Sequence, residues 1–343
     1  MRALIDETQK EFQEVAREIA RSVGIENPAD VVGRDTFSGW QTLASSGLLD
    51  LRERSSGDPT ASGVEIALLC EELGGTLTPD PYLPSAVVAG DLIARSGDVH
   101  GWMAGLGSGD DRYGILLRAD LTDFGDAGGD DDIVWGGAGD DGFVLALKRD
   151  GDSVRLVRGR PTGSTPLDSL SLTNALWRAA DIAWEDGGAL SAEDLQRVTA
   201  LALTGLSADT VGALGAALRG VVEYSKQRRA YGVHIGSFQA IQHISADAYV
   251  AVAGARSAAL YAAWAVDALD AGEALLAART AKAACAHIGR TTAEAVMQVY
   301  GGIGQTWEHI AHFYNRRAQF DTAVLGDENH QLDAIADVRL EGK

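Results

Sequence analysis

The stretch RRAYGVHIGSFQ, residues 228–239, decides how this chain of 343 residues folds, and QVYGGIG, residues 298–304, accompanies it further along. Arg228 stands at the end of a helix-patterned segment, just before the chain turns at Gly232. Its guanidinium is a planar fork of donors that matches the geometry of a pyrophosphate. The segment therefore predicts a phosphate-binding turn between two helices.

Amide and glycine residues extend this pattern. Gln239 and Gln298 supply donors and acceptors for ribose or adenine edges. Gly301 and Gly302 let backbone N–H groups approach a ligand where a side chain would clash. These glycines could instead end a helix at its C′ position. Because they accompany Arg228, the favoured interpretation is a clamp for a dinucleotide.

Four more residues of the two segments are candidate ligand contacts: Tyr231, Phe238, Val299 and Tyr300. Aromatic side chains serve packing by default, so Tyr231 and Phe238 could equally be core residues. The cations Lys226, Arg228 and Arg229 either bind phosphate or form a solvated helix end. We expect them to be unpaired in the isolated chain.

The formal net charge is −20, with 46% hydrophobic and 23% charged residues, as in a globular protein. Long-range repulsion disfavours nucleic acids and anionic membrane surfaces as partners. No basic and apolar leader opens the sequence, and no run of eighteen apolar residues occurs in it. We therefore expect a cytoplasmic protein.

Residues 1–109 are predicted to form a helical lobe. The first apolar stripe, at spacings of three to four residues or their multiples, comprises Leu4, Phe12, Val15, Ile19 and Val23. A second helix is expected to end at Gly74 and Gly75. The prolines of TPDPYLPSA predict an extended turn before a helix resumes near Ser85.

Residues 110–190 change to the short β-like runs YGILL, DGFVLAL and SVRLVRG, separated by Gly/Asp turns. They predict a small β domain. The acidic tract of residues 123–132 lacks the spacing and the final bidentate Glu of a calcium loop, so an exposed loop is expected.

Residues 191–343 are alanine-rich and predict an antiparallel four-helix bundle. A capping box at Ser191 and Asp194 begins it. Further helices are expected at about 237–269, 273–300 and 307–323.

These motifs, in this order of lobe, β domain and bundle, resemble the acyl-CoA dehydrogenase family. The likeness extends to WQTLASSGLLDL from Trp40, to ALLCEELGGTLTPDPYLPSA and to DGFVLALKRDGDSVRLV, and so covers nearly the whole chain. It implies a mainly α fold with a small β domain, and FAD-dependent α,β-desaturation of an acyl-CoA. It also implies that the clamp holds the ADP half of an FAD belonging to a neighbouring subunit.

The family's catalytic base, a glutamate, is missing from both places where the family carries it. Alignment from QVYGGIG puts Leu325, followed by Gly326, at the first place and Ala202 or a close neighbour at the second. Asp327 is nearby, and Glu328 would have to move three residues, which loses the geometry of proton transfer. We expect no catalytic residue in this chain.

Two other site types are not expected. Glu308, His309 and His312 offer two histidines on one helix face but no third protein ligand of the usual kind, so no metal site is predicted. The region DDRYGILLRADLTDFGDAGG keeps none of the family's flavin-ring segment, and Trp135 lacks the serine or threonine that usually follows it. The resemblance thus implies that this chain cannot hold its own flavin ring.

The combination resembles the smaller, degenerate subunit of α2β2 actinobacterial enzymes that act on CoA thioesters of steroid side chains. It implies a larger partner subunit that supplies the base, the flavin-ring contacts and most of the acyl pocket, and an electron-transfer acceptor. Two alternatives stay open: a self-sufficient homotetramer with a displaced base, and a non-enzymatic binding or scaffold protein.

Overall fold

A computed structural model describes residues 5–31, 36–55 and 57–340. Leu4, the first residue of the predicted apolar stripe, lies outside them. Helices before and after a central sheet confirm the predicted fold class. The α-helices are α1 (Glu7–Val23), α2 (Trp40–Ser45), α3 (Gly63–Gly75), α4 (Ala89–Arg95), α5 (Trp102–Ser108), α6 (Ala192–Gln227), α7 (Gln239–Ala268), α8 (Ala271–Tyr300), α9 (Ala311–Ala323) and α10 (Glu328–Leu340).

Local capping signals explain several helix ends. At the start of α6, the Ser191 hydroxyl accepts a hydrogen bond from the backbone N–H of Asp194 at 3.1 Å. The Asp194 carboxylate accepts one from the backbone N–H of Ser191 at 3.0 Å, completing the predicted capping box. In α1 the predicted stripe is wrong at Val15, which is 55% exposed. After the proline-rich stretch, a π-helical turn at Leu83–Val88 leads into α4, slightly earlier than predicted.

The sheet has seven strands in the order β5-β6-β2-β1-β3-β4-β7. Its strands are β1 (Tyr113–Leu117), β2 (Ile133–Gly136), β3 (Phe143–Asp150), β4 (Ser153–Arg160), β5 (Gly163–Pro166), β6 (Leu176–Ala180) and β7 (Ala183–Leu190). Strands β1 and β3 are parallel, and the other neighbours are antiparallel. The three predicted runs form β1, β3 and β4, whereas the other four strands were not predicted.

Helix α6 is the centre of the helical part and packs against α3, α7, α8 and α9. Small residues bring the helices close together: Gly212 lies against the backbone carbonyl of Glu71, where a Cβ would overlap. The helix predicted from Trp307 begins instead at Ala311. There the ring nitrogen Nδ1 of His309 accepts a hydrogen bond from the backbone N–H of Ala311 at 3.1 Å, so a side chain holds the turn.

By length and composition, α6 and α7 are both apolar enough to cross a membrane. In α6, 89% of the most apolar stretch is buried inside the protein, as in the core helix of a soluble protein, so the resemblance to a membrane span is weak evidence. In α7 the corresponding share is 39%. The outer face of α7 exposes Tyr249, Val250 and Tyr261.

Candidate functional site

The chain leaves α6 at Arg228 and turns back in a short hairpin. Strands β8 (Arg229–Ala230) and β9 (Val233–His234) pair antiparallel. Between them, Tyr231 and Gly232 have φ angles of +53° and +84°. Positive φ at both central residues is what a type I′ turn requires, and this turn matches the twist of the two strands. The predicted turn at Gly232 is therefore part of a defined hairpin.

Tyr231 is 95% exposed at the tip of this hairpin. Its ring meets Phe238 edge-on, with the centroids 6.3 Å apart. The left-handed conformation costs a residue other than glycine about 1–2 kcal/mol. An aromatic ring that is held in such a conformation and exposed contributes little to the core of this chain. It is therefore available to contact a ligand or a partner.

The cations next to the hairpin differ from one another. Arg228 and Arg229 are exposed, and neither has a carboxylate within 4.0 Å among the described residues. The Lys226 ammonium instead lies 2.6 Å from the carboxylate of Glu223. The expectation that all three cations are unpaired is wrong for Lys226, because Glu223 lies one helical turn before it. Two cations remain for an anionic ligand.

The second predicted segment forms the end of α8 and the turn after it. Gly301 has φ +65° and ψ −147°, a combination that glycine alone adopts readily. A Cβ built on Gly301 or Gly302 would meet nothing within 4 Å, so this backbone faces open space. Gln298 is exposed. The segment can thus receive a ligand on its backbone and on one amide side chain.

Val299 and Tyr300 are buried, so their side chains face the protein. They belong to an apolar cluster with Val221, to which Tyr224 and Ile235 also pack. The rings of Tyr224 and Tyr300 lie 5.0 Å apart. Burial raises the pKa of Tyr300 to about 12. This cluster joins the two predicted segments, and only the backbone of Val299 and Tyr300 is left for a ligand contact.

A groove of about 550 Å³ runs beside the hairpin, between the end of α6 and the start of α7. Ser225, His234, Ser237 and Gln242 contribute to its walls. Sequence reasoning did not name these residues. Two of them, His234 and Ser237, lie inside the quoted segment, so its polar side chains were the available signal.

Gln239 begins α7 and is exposed. Arg228, Tyr231 and Gln239 are exposed and the backbone at Gly301 and Gly302 is open, so their donors and acceptors are accessible from outside the chain. The resemblance points to Trp135 as the counterpart of the tryptophan that covers the flavin ring. Trp135 is buried in the main core, so its ring is not open to a ligand from outside.

Both positions of the family base are filled by buried apolar side chains. Leu325 is 2% exposed and Ala202 is 0% exposed, and both belong to the main core. Leu325 has φ +58°, and the next backbone N–H, of Gly326, donates to the carbonyl oxygen of Leu121 at 3.1 Å. The loop is therefore tied to the connection between β1 and β2. Neither position offers a group that could accept a proton.

The carboxylates near Leu325 have structural partners. Asp327 accepts a hydrogen bond from the backbone N–H of His330 at 2.9 Å, at the start of α10. Glu328 lies 2.9 Å from the guanidinium of Arg290. Asp327 and Glu328 are the two carboxylates that a shifted alignment would place at the position of the base, and both are engaged in these structural contacts.

A buried ionic network joins α6 to α9. Arg317 makes two hydrogen bonds to the Asp209 carboxylate, at 2.8 and 2.7 Å, and donates to the carbonyl oxygen of Thr78 at 2.8 Å. The cavity left between these residues and Leu206 has a volume of about 20 Å³. That is room for about one water molecule. No acyl chain fits there.

Asp321 and Lys282 extend this network and are both 2% exposed. Burial, with the nearby Asp209, raises the pKa of Asp321 well above its usual range. Burial lowers the pKa of Lys282 to about 8. The Lys282 ammonium donates to the backbone carbonyls of Asp321 and Thr322. A lysine within TAKAACA, residues 280–286, was the one sequence signal for this network, and it was missed.

The histidines after the glycine turn are packed against aromatic rings. His309 meets Tyr300 at 4.4 Å between centroids, and His312 stacks on Trp307 at 5.4 Å. Burial lowers the pKa of both histidines. In the part of the chain that the structure describes, no three His, Cys, Asp or Glu side chains are grouped as metal ligands.

Known proteins of one family are similar to this chain in sequence. Residues 201–340 match the family model for the acyl-CoA dehydrogenase C-terminal domain. Acyl-CoA dehydrogenase IpdE2 of Mycobacterium tuberculosis is 31% identical over 76% of this chain and 73% of its own length. Acyl-CoA dehydrogenase FadE34 of the same organism is 29% identical over 100% of this chain, which spans about half (49%) of that relative's length.

Solved structures share the whole fold. The ChsE4-ChsE5 complex from Mycobacterium tuberculosis contains a chain with a TM-score of 0.84 at 21% identity, covering 99% of both chains. A Tcur3481-Tcur3483 steroid ACAD variant has a TM-score of 0.81 at 24% identity, covering 98% of both. The structural likeness establishes the fold, and the identity to IpdE2 establishes the relationship. This chain belongs to the acyl-CoA dehydrogenase family.

Proposed function

We propose that this chain is the smaller subunit of a heteromeric, FAD-dependent acyl-CoA dehydrogenase that introduces an α,β double bond into an acyl-CoA. One observation carries the proposal. The residues suited to the ADP half of FAD are exposed, whereas Leu325 and Ala202 put buried hydrocarbon at both positions of the base. The chain offers half of a cofactor site and no proton acceptor at Leu325 or Ala202.

In the assembled enzyme, Arg228 holds the pyrophosphate with its fork of donors. Gln239 and Gln298 contact ribose or adenine edges, and the backbone of Gly301 and Gly302 approaches the cofactor closely. Each charge-assisted hydrogen bond contributes about 1.5–3 kcal/mol. When bound, FAD accepts the hydride that leaves the β-carbon of the substrate. The role of this chain is to hold the far end of that cofactor in place.

The partner subunit supplies the base, the flavin-ring contacts and most of the acyl pocket. Two features of this chain support that division: the 20 Å³ space beside the buried Arg317, and the buried face of Trp135. The exposed Tyr249, Val250 and Tyr261 on α7 suit a subunit contact. The α2β2 assembly is proposed from the likeness to a chain of a complex of two different proteins.

The substrate class is proposed from the structural neighbours. One of them is described as a steroid ACAD and another as a complex of two different proteins. We therefore propose a CoA thioester of a steroid side chain as the substrate, bound mainly by the partner. An electron-transfer acceptor then reoxidises the flavin.

Neutral replacements test whether this chain carries the base. Glu308→Gln, Asp327→Asn and Glu328→Gln should each leave the turnover of the assembled complex within about tenfold, a range that ordinary packing effects cover. Glutamine at the partner's glutamate is the matched positive control and should abolish turnover. A loss of about a thousandfold in any variant of this chain would place the base here and overturn the proposal.

A further inference from the structure

A second cavity, separate from the clamp, lies between the sheet and the bundle. Its volume is about 310 Å³, at the lower end of the range of about 300–1,000 Å³ for small-molecule sites. Leu325, at one of the two positions of the family base, forms part of its wall. The connection after β1, the end of β3, the N-terminal parts of α6 and α8, and His330 on α10 supply the rest.

Arg279, on α8, contributes a positive charge to this cavity and forms no ion pair with a described residue. One guanidinium nitrogen donates to Oε1 of Gln331 at 2.8 Å. No carboxylate of the described residues lies within 4.0 Å of the guanidinium. Burial lowers the pKa of Arg279, and Asp123 opposes this effect only from a longer distance. A partly buried cation without a counter-ion is a place where an anion gains stability.

Gln331 fixes this guanidinium relative to the loop at Leu325. The Gln331 side chain is fully buried, and its amide nitrogen donates to the backbone carbonyls of Leu325 at 2.6 Å and Gly326 at 3.2 Å. Its amide oxygen accepts from Arg279. One buried amide thus joins the cation to the wall that it faces, so the site is held in shape without a ligand.

The other walls suit an amphipathic anion. Arg118 and Arg149 line the same cavity and form long ion pairs with Asp120 and Asp126, at 3.7 and 3.9 Å. Asp123 is the one carboxylate among the lining residues. The apolar part of the lining comprises Phe124, Leu147, Leu195, Leu203, Leu275 and Leu325. Among the arginines of this cavity, Arg279 is the one with no carboxylate of the described residues within 4.0 Å, and it stands over a hydrocarbon surface.

We propose that this cavity binds a small organic anion, whose carboxylate or phosphate pairs with Arg279 and whose apolar part lies against Leu325. A glutamate at position 325 would have placed a carboxylate of the protein in this same cavity. With leucine there, an anionic ligand can take the place of that carboxylate beside Arg279. The inference does not depend on the proposed FAD contacts, because the clamp residues do not line this cavity.

Calorimetric titration of the purified chain, and of its complex, with hexanoate, inorganic phosphate and uncharged hexanamide tests the proposal. We expect saturable binding of at least one of the two anions, and none of hexanamide. Hexanoate binding would identify a carboxylate site, and binding of phosphate alone a phosphate site. Absence of saturable binding of both anions at millimolar concentration, or hexanamide binding as tight as hexanoate binding, overturns it.

Variants locate the binding. Arg279→Gln should weaken it by about tenfold or more, as loss of a charge-assisted hydrogen bond implies. Arg279→Lys should retain part of it, and Leu325→Glu should abolish it because the new carboxylate takes the place of the ligand. Arg155→Gln removes an exposed cation from β4 and should change nothing.

Unchanged affinity in both Arg279→Gln and Leu325→Glu would refute the assignment, and Leu325→Glu keeps the test decisive where Arg279→Gln does not fold. FAD content of the complex is measured in parallel. A normal FAD content without anion binding refutes this site alone.

Discussion

Replacement of Arg228 with alanine tests the clamp at the residue proposed to hold the pyrophosphate. The guanidinium has no carboxylate within 4.0 Å among the described residues, so the change breaks no ion pair in the folded chain. The melting temperature of the isolated chain should barely move. In the complex, loss of a charge-assisted hydrogen bond costs about 1.5–3 kcal/mol. We therefore expect FAD to bind about 10- to 150-fold more weakly.

The assay is titration of the flavin-free complex with FAD, followed by flavin absorbance after gel filtration. Arg229→Ala is the matched control, since it removes an equal charge from the adjacent residue. A screened surface charge is worth about 1 kcal/mol at most, so this variant should lose about fivefold or less. Arg228→Lys should fall between the two, because it keeps the charge and loses the fork. Equal FAD affinity in Arg228→Ala and the unmodified complex would refute the reasoning.

Two further predictions concern the buried network. Asp209→Asn leaves Arg317 without its buried counter-ion and should lower the free energy of unfolding, measured by urea titration, by about 3–5 kcal/mol. Lys10→Gln, at an exposed ion pair, is the control and should not change this free energy. A loss below about 1 kcal/mol in Asp209→Asn would contradict the account. The pKa of Asp321 is raised in the folded chain, so the folded state holds this proton more tightly than the unfolded state does. The resulting contribution to stability is complete below the unfolded pKa of about 3.9 and is lost as pH rises towards the folded pKa. Asp321→Asn should therefore lose less stability than the unmodified chain as pH rises, and parallel curves of stability against pH for the two proteins would contradict this prediction.

Sequence patterns predicted what depends on neighbouring residues. The capping box at Ser191 fixed the start of α6, and the glycines at 74 and 75 fixed the end of α3, because caps are local. Strands β2 and β7 were missed because their residues carry no clear local pattern. The first, IVWG, is too short to show alternation, and the second carries glycines and pairs with β4 through an irregular register.

The candidate site divides in the same way. The hairpin at Tyr231 and Gly232 follows from a tyrosine-glycine pair whose conformation is set within the turn itself. The pairing of Arg317 with Asp209 joins residues 108 positions apart, and no local pattern reports it. Arg279 was missed likewise, since its contact with Gln331 becomes visible only when α8 and α10 are placed together.

The central claim is that this chain holds one end of an FAD whose ring lies in a different protein. Light scattering coupled to flavin quantitation, on the chain alone and on the chain co-expressed with its genomic neighbour, tests it most directly. The account predicts a colourless chain alone, and a heterotetramer with one FAD for every two chains when the partner is present. A homotetramer of this chain that carries four FAD molecules and dehydrogenates an acyl-CoA unaided would contradict it.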